Sequence, residues 1–331
     1  MLVLVTGGSG FLGSRIAEKL LEDNREVRVL TRRPVPNLEK SGAEVFFGDL
    51  RDPDVSKKAT GGVGAVIHAA AKAGVWGPEK EYLEANLEGT RRLLAASEEN
   101  GVSRFVLTST ASVVFDGKDL NGVDESAPYA FDSVSNYARS KALAEELVLS
   151  RNGETFKTLA LRPHIVWGPG DPHFAPRVAA LRKSGRLKLI KGGPYMFDGI
   201  FVDNAADCHV HALKKLEEGA PVSGEAFFLT QGEPMDSRDF LNKMLDSMGL
   251  PPLKPTISVA QAKIVSRVLE FLWKLFRVEN EPPLTLFAVQ NLTCSHYFDL
   301  TKTRELLGYS PGISVDEGFA LMKKHFLAKK S

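Results

Sequence analysis

The stretch LVLVTGGSGFLG, Leu2–Gly13, decides the fold. Leu2–Thr6 is a short apolar run of the kind a strand shows when a parallel sheet buries both its faces. Glycines follow at 7, 10 and 13, and Ser14–Leu21 then carries Ile16, Ala17, Leu20 and Leu21 at helical spacing. The glycine spacing is GxxGxxG, where the dehydrogenase fingerprint has GxGxxG, yet the physical demands are similar. Gly7 permits a tight turn off the strand, Gly10 lets backbone approach a pyrophosphate, and Gly13 lets the helix pack close to the sheet. The helix N-terminus then presents free N–H groups and a partial positive charge to phosphates. Three glycines alone would be a turn. Between a first strand and a first helix they predict dinucleotide binding.

The same alternation continues outward. Glu26–Thr31, Val45–Phe47, Ala65–His68, Arg104–Thr108 and Lys157–Leu161 read as further strands, with helical patterns between several of them, notably Tyr82–Glu99 and Asn136–Ser150. Repeated β-α alternation predicts an α/β fold with a Rossmann-type, doubly wound parallel sheet. The 331 residues suit one large domain with a smaller lobe, and 43% hydrophobic and 25% charged residues are ordinary for a globular chain. A net charge of +1 gives no general attraction to nucleic acid or anionic membrane. Cys208 and Cys294 are the two cysteines, far apart, and no Cys/His cluster has metal-ligand spacing, so no metal is expected. His164 and His173 lack a companion at such spacing. No run of 18 apolar residues and no leader-like N-terminus is found, and a cytoplasmic protein is expected.

The end of the second strand, VRVLTRRP, bears on which dinucleotide. An NAD site places an acid there for the ribose 2′-hydroxyl. Here Thr31 takes that place and Arg32-Arg33 follow. Guanidinium groups bind a 2′-phosphate through charge-assisted hydrogen bonds, which predicts NADP(H) read by Arg32.

YARSK, residues 137–141, puts Tyr137 and Lys141 four apart on one helix face. A free phenol has a pKa near ~10; a neighbouring ammonium lowers it by favouring phenolate. Tyr137 could then pass a proton to a carbonyl oxygen or take one back. The spacing is common by chance and gains meaning only behind a nucleotide-binding loop.

Taken in order, TGGSGFLG, HAAA (68–71), NLEGT (86–90), TST (108–110), YARSK and LRPHIVWGPGD (162–171) resemble the extended short-chain dehydrogenase/reductases over nearly the whole chain. The resemblance implies a catalytic set of Thr110, Tyr137 and Lys141, with Ser109 and Ser112 as neighbours of the threonine. Thr110 would hydrogen-bond the substrate oxygen, Tyr137 would exchange the proton, and Lys141 would bind the nicotinamide ribose and lower the phenol's pKa. It implies a cofactor site of Gly7, Gly10, Phe11, Leu12, Gly13, Arg32, Asp49, Leu50, Ala69, Ala70, Tyr137, Lys141 and Pro163, with Asn86 in a structural role.

It also implies the domain plan: an NADP-binding Rossmann domain at 1–165, to which 201–224 returns, and a substrate-binding lobe of 166–200 and 225–331. The break at Gly168-Pro169-Gly170-Asp171-Pro172 agrees with a change of architecture there. Asp236–Met248 and Ser314–Phe326 read as helices closing the lobe. Family members often pair through two helices, so a homodimer is expected.

AAKAGVWG (70–77), LRPHIVWGPGDPH (162–173) and EPPLT (281–285) resemble the 3β-hydroxysteroid dehydrogenase/isomerase-type branch, and within it the ketoreductases of bacterial long-chain olefin biosynthesis. That implies reduction of a long-chain 2-alkyl-3-ketoalkanoate, with partner enzymes of an olefin pathway. A sterol dehydrogenase, a sugar-nucleotide epimerase or dehydratase, and a non-catalytic NADP sensor are the alternatives. Val75, Trp76 and Trp167 are candidate pocket walls; core packing is the other reading for each.

The most apolar helical stretch is VAQAKIVSRVLEFLWKLFRV (259–278), with Lys263, Arg267, Glu270, Lys274 and Arg277 as a narrow polar stripe. A helix so apolar must be covered. Core packing, a dimer interface, the wall of a tunnel for an apolar substrate, and a membrane surface are all open on sequence alone.

Overall fold

The computed structural model describes residues 1–172, 174–278 and 280–328, so His173 lies outside the described residues. Seven strands form the central sheet: β1 (Leu2–Thr6), β2 (Glu26–Thr31), β3 (Glu44–Phe47), β4 (Ala65–His68), β5 (Arg104–Thr108), β6 (Lys157–Pro163) and β7 (Ala226–Leu229). All pairings are parallel, in the order β7-β6-β5-β4-β1-β2-β3. The order reverses beside β1, which is where doubly wound sheets open a crevice at the strands' carboxyl ends.

Both faces are covered, which is why the strands read as continuous apolar runs. Val3, Val5, Val29, Ile67 and Val106 point to one face, under helices Phe11–Glu22 and Val202–Glu217. Leu4, Leu30, Val66, Phe105 and Leu107 point to the other, under helices Pro53–Thr60, Gly89–Glu99 and Asn136–Ser150. Helix Val202–Glu217 packs in this layer and is tied to the first helix by charge. Arg15 pairs with Asp203, Lys19 with Asp207 at 3.1 Å, Arg25 with Glu217 at 2.7 Å and Lys214 with Asp23 at 2.7 Å.

The sheet runs past the 201–224 return, because β7 adds to β6 with Phe227 opposite Leu161. Four residues flanked by charge and glycine gave too short a pattern to read as a strand. The remaining elements build a second core. A four-stranded sheet joins Met235–Asp236, Met196–Phe197, His296–Phe298 and Leu120–Val123, the last contributed from before the helix Asn136–Ser150. Helices Ser237–Ser247 and Val315–Ala328 pack there around Phe197, Phe240 and Phe319. Helix Val259–Leu275 lies against Leu286–Thr293 at the edge of this group.

Candidate active site

The carboxyl ends of β1, β2, β4, β5 and β6 converge on one rim, and nearly every residue singled out from sequence sits there. At the end of β1, Gly7 adopts φ +73°, and a Cβ on it would lie 2.9 Å from the Ala70 backbone. A Cβ on Gly13 would lie 2.4 Å from the Gly7 carbonyl oxygen. Gly7 and Gly13 are thus held by close backbone approach. Helix Phe11–Glu22 starts at Gly10 with no side chain capping its N–H groups and no acid in its first turn. This uncapped, glycine-floored cradle fits a dinucleotide pyrophosphate. Phe11, Leu12, Ala69 and Ala70 are half-buried around it, and Pro163, at the end of β6, is buried.

A buried hydrogen-bond chain runs from this loop to the tyrosine. The Ala70 N–H donates to Thr6 Oγ1 at 3.1 Å, and Thr6 lies 2.7 Å from His68 Nδ1. His68 Nε2 lies 2.8 Å from Thr90 Oγ1, which donates to the Asn86 carbonyl at 2.6 Å. One proton arrangement satisfies every link: His68 carries its proton on Nε2 and accepts from Thr6 on Nδ1. Burial, and then the Lys141 charge, push the His68 pKa down to about 3, so the ring is neutral. Asn86 continues the chain. Its Oδ1 accepts from the Lys72 N–H at 2.7 Å, and its Nδ2 donates to Ser140 Oγ at 2.9 Å. Ser140 in turn donates to the Tyr137 carbonyl at 2.9 Å. Sequence reading gave Asn86 its structural role and missed His68 and Thr90, since one histidine at a strand end looks like ordinary core.

Helix Asn136–Ser150 begins at Ser135, whose hydroxyl accepts from the Ala138 N–H at 3.3 Å. Tyr137 is half-buried and Lys141 is buried one turn below. Lys141 Nζ donates to the Thr108 carbonyl at 2.6 Å. Burial drops its pKa to about 8, against the upward pull of Glu145. Burial raises the Tyr137 phenol and hydrogen bonding to Thr110 pulls it back. The lowering by Lys141 expected from the spacing is absent: the ammonium is turned to the Thr108 carbonyl, and desolvation decides the phenol's direction. Thr110 follows β5 and caps a helical turn at Ala111–Val114, its Oγ1 accepting from the Ser112 N–H at 3.3 Å. Ser109 is buried and its hydroxyl has no partner among the described residues. Behind this turn, Ser112, His164, His296 and Phe298 line a tight crevice.

At the end of β2, Thr31 is buried and its hydroxyl bridges to the Arg33 backbone, leaving Arg32 71% exposed. Arg32 reaches Asp49 only loosely, at 3.5 Å. The firm partner of Asp49 is Arg51, at 2.8 Å, and Arg51 first of all holds that carboxyl down at about 2. Arg51 is therefore a second guanidinium at this rim that the sequence reading passed over. Leu50 packs beside Gly89.

The pocket candidates separate. Val75 and Trp76 are half-buried on the loop after β4, and Trp76 Nε1 donates to the Val278 carbonyl at 3.4 Å. Trp167 is 1% exposed, stacked on Phe319 at 4.4 Å and edge-on to Phe201 and Phe240. It is core, with no face to offer a ligand. His164 is buried and its Nδ1 lies 2.9 Å from the Asp198 carbonyl. No group of metal-ligating side chains occurs among the described residues.

The model of the 3-beta hydroxysteroid dehydrogenase/isomerase family matches residues 4–259. The 2-alkyl-3-oxoalkanoate reductase of Stenotrophomonas maltophilia is 39% identical over 326 residues, 98% of each chain. The decarboxylating sterol-4-alpha-carboxylate 3-dehydrogenase of Mus musculus is 31% identical over 318 residues, covering 95% of this chain and 87% of that one. Among solved structures, a UDP-glucose 4-epimerase of Thermotoga maritima superposes with a TM-score of 0.78 at 22% identity, covering 100% of both chains, a likeness of fold. The chain belongs to the 3-beta hydroxysteroid dehydrogenase/isomerase family and is an oxidoreductase of the dehydrogenase/reductase type.

Proposed function

We propose that the chain is an NADP(H)-dependent ketoreductase that reduces the β-keto group of a long-chain 2-alkyl-3-ketoalkanoate to the 3-hydroxy acid. The observation that carries this reading is one helix face at the carboxyl rim of the sheet. There Tyr137 stands half-buried above a buried Lys141 whose ammonium is fixed by the Thr108 carbonyl. The printed activity of the 39% identical relative supports the substrate class.

A nicotinamide dinucleotide held in the glycine cradle would supply the hydride chemistry. Gly7, Gly10 and Gly13 make room for its pyrophosphate, and the free N–H groups of the first helical turn hold it. Arg32, mostly exposed and only loosely paired, is free to leave Asp49 for a 2′-phosphate, and Arg51 stands ready beside it. Thr110 orients the substrate oxygen. Tyr137 gives that oxygen its proton as charge develops there, and Lys141 holds the ribose. The elements around Phe197, Phe240 and Phe319 form the lobe that closes on the substrate.

A second reading, a sterol or 3β-hydroxysteroid dehydrogenase on the same residues, is favoured by the 31% identical sterol relative. The deciding experiment follows NADPH oxidation with a long-chain 2-alkyl-3-ketoacid beside a short unbranched β-ketoester, with the reverse reaction on a 3β-hydroxysteroid alongside. Turnover confined to the branched long-chain acid supports the ketoreductase. Turnover confined to the steroid replaces it with the second reading, and failure with all three sinks both.

A further inference from the structure

From Ala70 to Asn86 the buried hydrogen-bond chain runs in one direction and without a branch. The Ala70 N–H donates to Thr6, Thr6 to His68, His68 to Thr90 and Thr90 to the Asn86 carbonyl. Each hydroxyl and the ring thus give one bond and take one. His68, Thr90 and Asn86 are each 1% exposed, so water cannot replace a lost partner. Removing one member strands its neighbours on both sides.

Both ends of the chain reach the rim. Thr6 precedes Gly7, and a Cβ on Gly7 would meet the Ala70 backbone at 2.9 Å, so the first two links sit under the phosphate cradle. At the far end Asn86 donates to Ser140, and Ser140 donates to the Tyr137 carbonyl. Between the ends, the helical run from Glu79 to Glu99 widens into a π-helical turn at Leu83–Glu88. Asn86 lies in that turn, and Thr90 bonds back to its carbonyl at 2.6 Å. A π turn between two α-helical segments has the α register as a neighbouring arrangement, and such turns gather at functional sites.

We propose that His68 and Thr90 are positioning residues that couple occupation of the glycine cradle to the placing of Tyr137, through the π-helical turn that carries Asn86. The proposal rests on the ketoreductase reading of the two ends. A pyrophosphate at Gly7–Gly13 steadies Thr6 and Ala70, and the chain passes that constraint to Asn86. Ser140 then fixes the Tyr137 carbonyl, and with it the place of the phenol. The π-helical turn is the element that both ends bias, so the coupling is reciprocal.

The first probe is adenosine diphosphate, which carries a pyrophosphate and lacks the nicotinamide ribose assigned to Lys141, so its effect at Tyr137 must pass through the protein. Hydrogen exchange of the Ala138, Ser140 and Lys141 amides is followed with and without it, on wild type, Thr90→Val and Thr90→Ser. Adenosine diphosphate should slow these amides about tenfold in wild type and Thr90→Ser, and leave them unchanged in Thr90→Val. In NADPH oxidation with the long-chain 2-alkyl-3-ketoacid, Thr90→Val should lose about 10–100-fold in kcat, with KM and NADPH affinity within about twofold, and Thr90→Ser should keep the wild-type rate. Should far-ultraviolet circular dichroism show Thr90→Val unfolded, Ser140→Ala opens the last link instead and carries the same expectations. Protection that persists in the Val variant, or that is absent in wild type, overturns the proposal. So does a loss of rate in Thr90→Ser equal to that in Thr90→Val, which would make side-chain shape the cause. The expected exchange pattern in a protein that turns over no ketoacid would sink the ketoreductase reading and leave the coupling standing.

Discussion

Helices Asn136–Ser150 and Val259–Leu275 depart from the usual placement of side chains in opposite directions. The first buries polar groups: Ser140, Lys141 and Glu145 all point inward. The second exposes apolar ones and buries little beyond Ala262 and Ser266. Burying a charge costs free energy unless partners compensate, and an apolar face left in water forgoes stabilisation. Neither pattern helps the chain fold. In the first helix Lys141 meets the Thr108 carbonyl and Glu145 meets buried Arg162, and in the second the apolar groups meet solvent. The difference is between polar groups given partners inside the protein and apolar groups left to solvent.

The comparison predicts unequal responses to substitution. Glu145 accepts from Arg162 at 2.7 Å and from Tyr129 at 2.9 Å, and Arg162 is itself buried. Glu145→Leu strands that guanidinium and should cost about 3–5 kcal/mol in urea unfolding. The milder Glu145→Gln should also lower the Lys141 pKa below its value of about 8, because it removes the one charge that supports the ammonium. A loss under 1 kcal/mol for Glu145→Leu would mean that the buried pair is dispensable.

Acid should weaken the fold next. Burial pushes His68 and His164 down to about 3 and His209 to about 4, and lowers His296 as well. Each folded value lies below the ordinary imidazole value of about 6.5, so the unfolded chain takes up protons that the folded chain refuses. Their contribution is present above about pH 6.5 and lost as pH falls toward 3, by up to roughly 1.4 kcal/mol per unit for each histidine. Asp198, raised to about 6 by burial, opposes this, since its contribution is lost as pH rises through about 6. The net expectation is a urea midpoint that falls steadily below about pH 6; a midpoint flat to pH 4 would contradict it.

Arg32→Ala should weaken NADPH by about tenfold and NADH little, as one charge-assisted bond to the 2′-phosphate is lost. Equal losses would remove Arg32 from that role and point to Arg51. Smallest of all, Phe271→Ala should change folding stability by no more than about 0.5 kcal/mol, because the ring is mostly in water. A loss of about 3 kcal/mol would show the ring buried in the working protein and erase the contrast between the helices.

The first half of the fold was legible in the sequence because parallel strands buried on both faces leave runs such as LVLVT and EVRVLT. Gly7 and Gly13 were legible because backbone crowding admits no other residue. β7 was missed because AFFL is four residues long and earns its place only by pairing with β6. Trp76 and Trp167 look alike in sequence, both following motif segments. Only packing separates them, since Trp167 is enclosed by Phe201, Phe240 and Phe319. The direction of the Tyr137 shift also escaped the sequence. Spacing puts Lys141 on the same face, but the nearby Thr108 carbonyl decides where the ammonium points.

The most direct test of the ketoreductase assignment compares wild type and Tyr137→Phe in NADPH oxidation with a long-chain 2-alkyl-3-ketoacid, with NADPH affinity measured on both by titration. Loss of the proton donor should lower kcat by about 10²–10⁴-fold and leave NADPH affinity within about twofold. Turnover by Tyr137→Phe at the wild-type rate would contradict the account, because some other group would then deliver the proton.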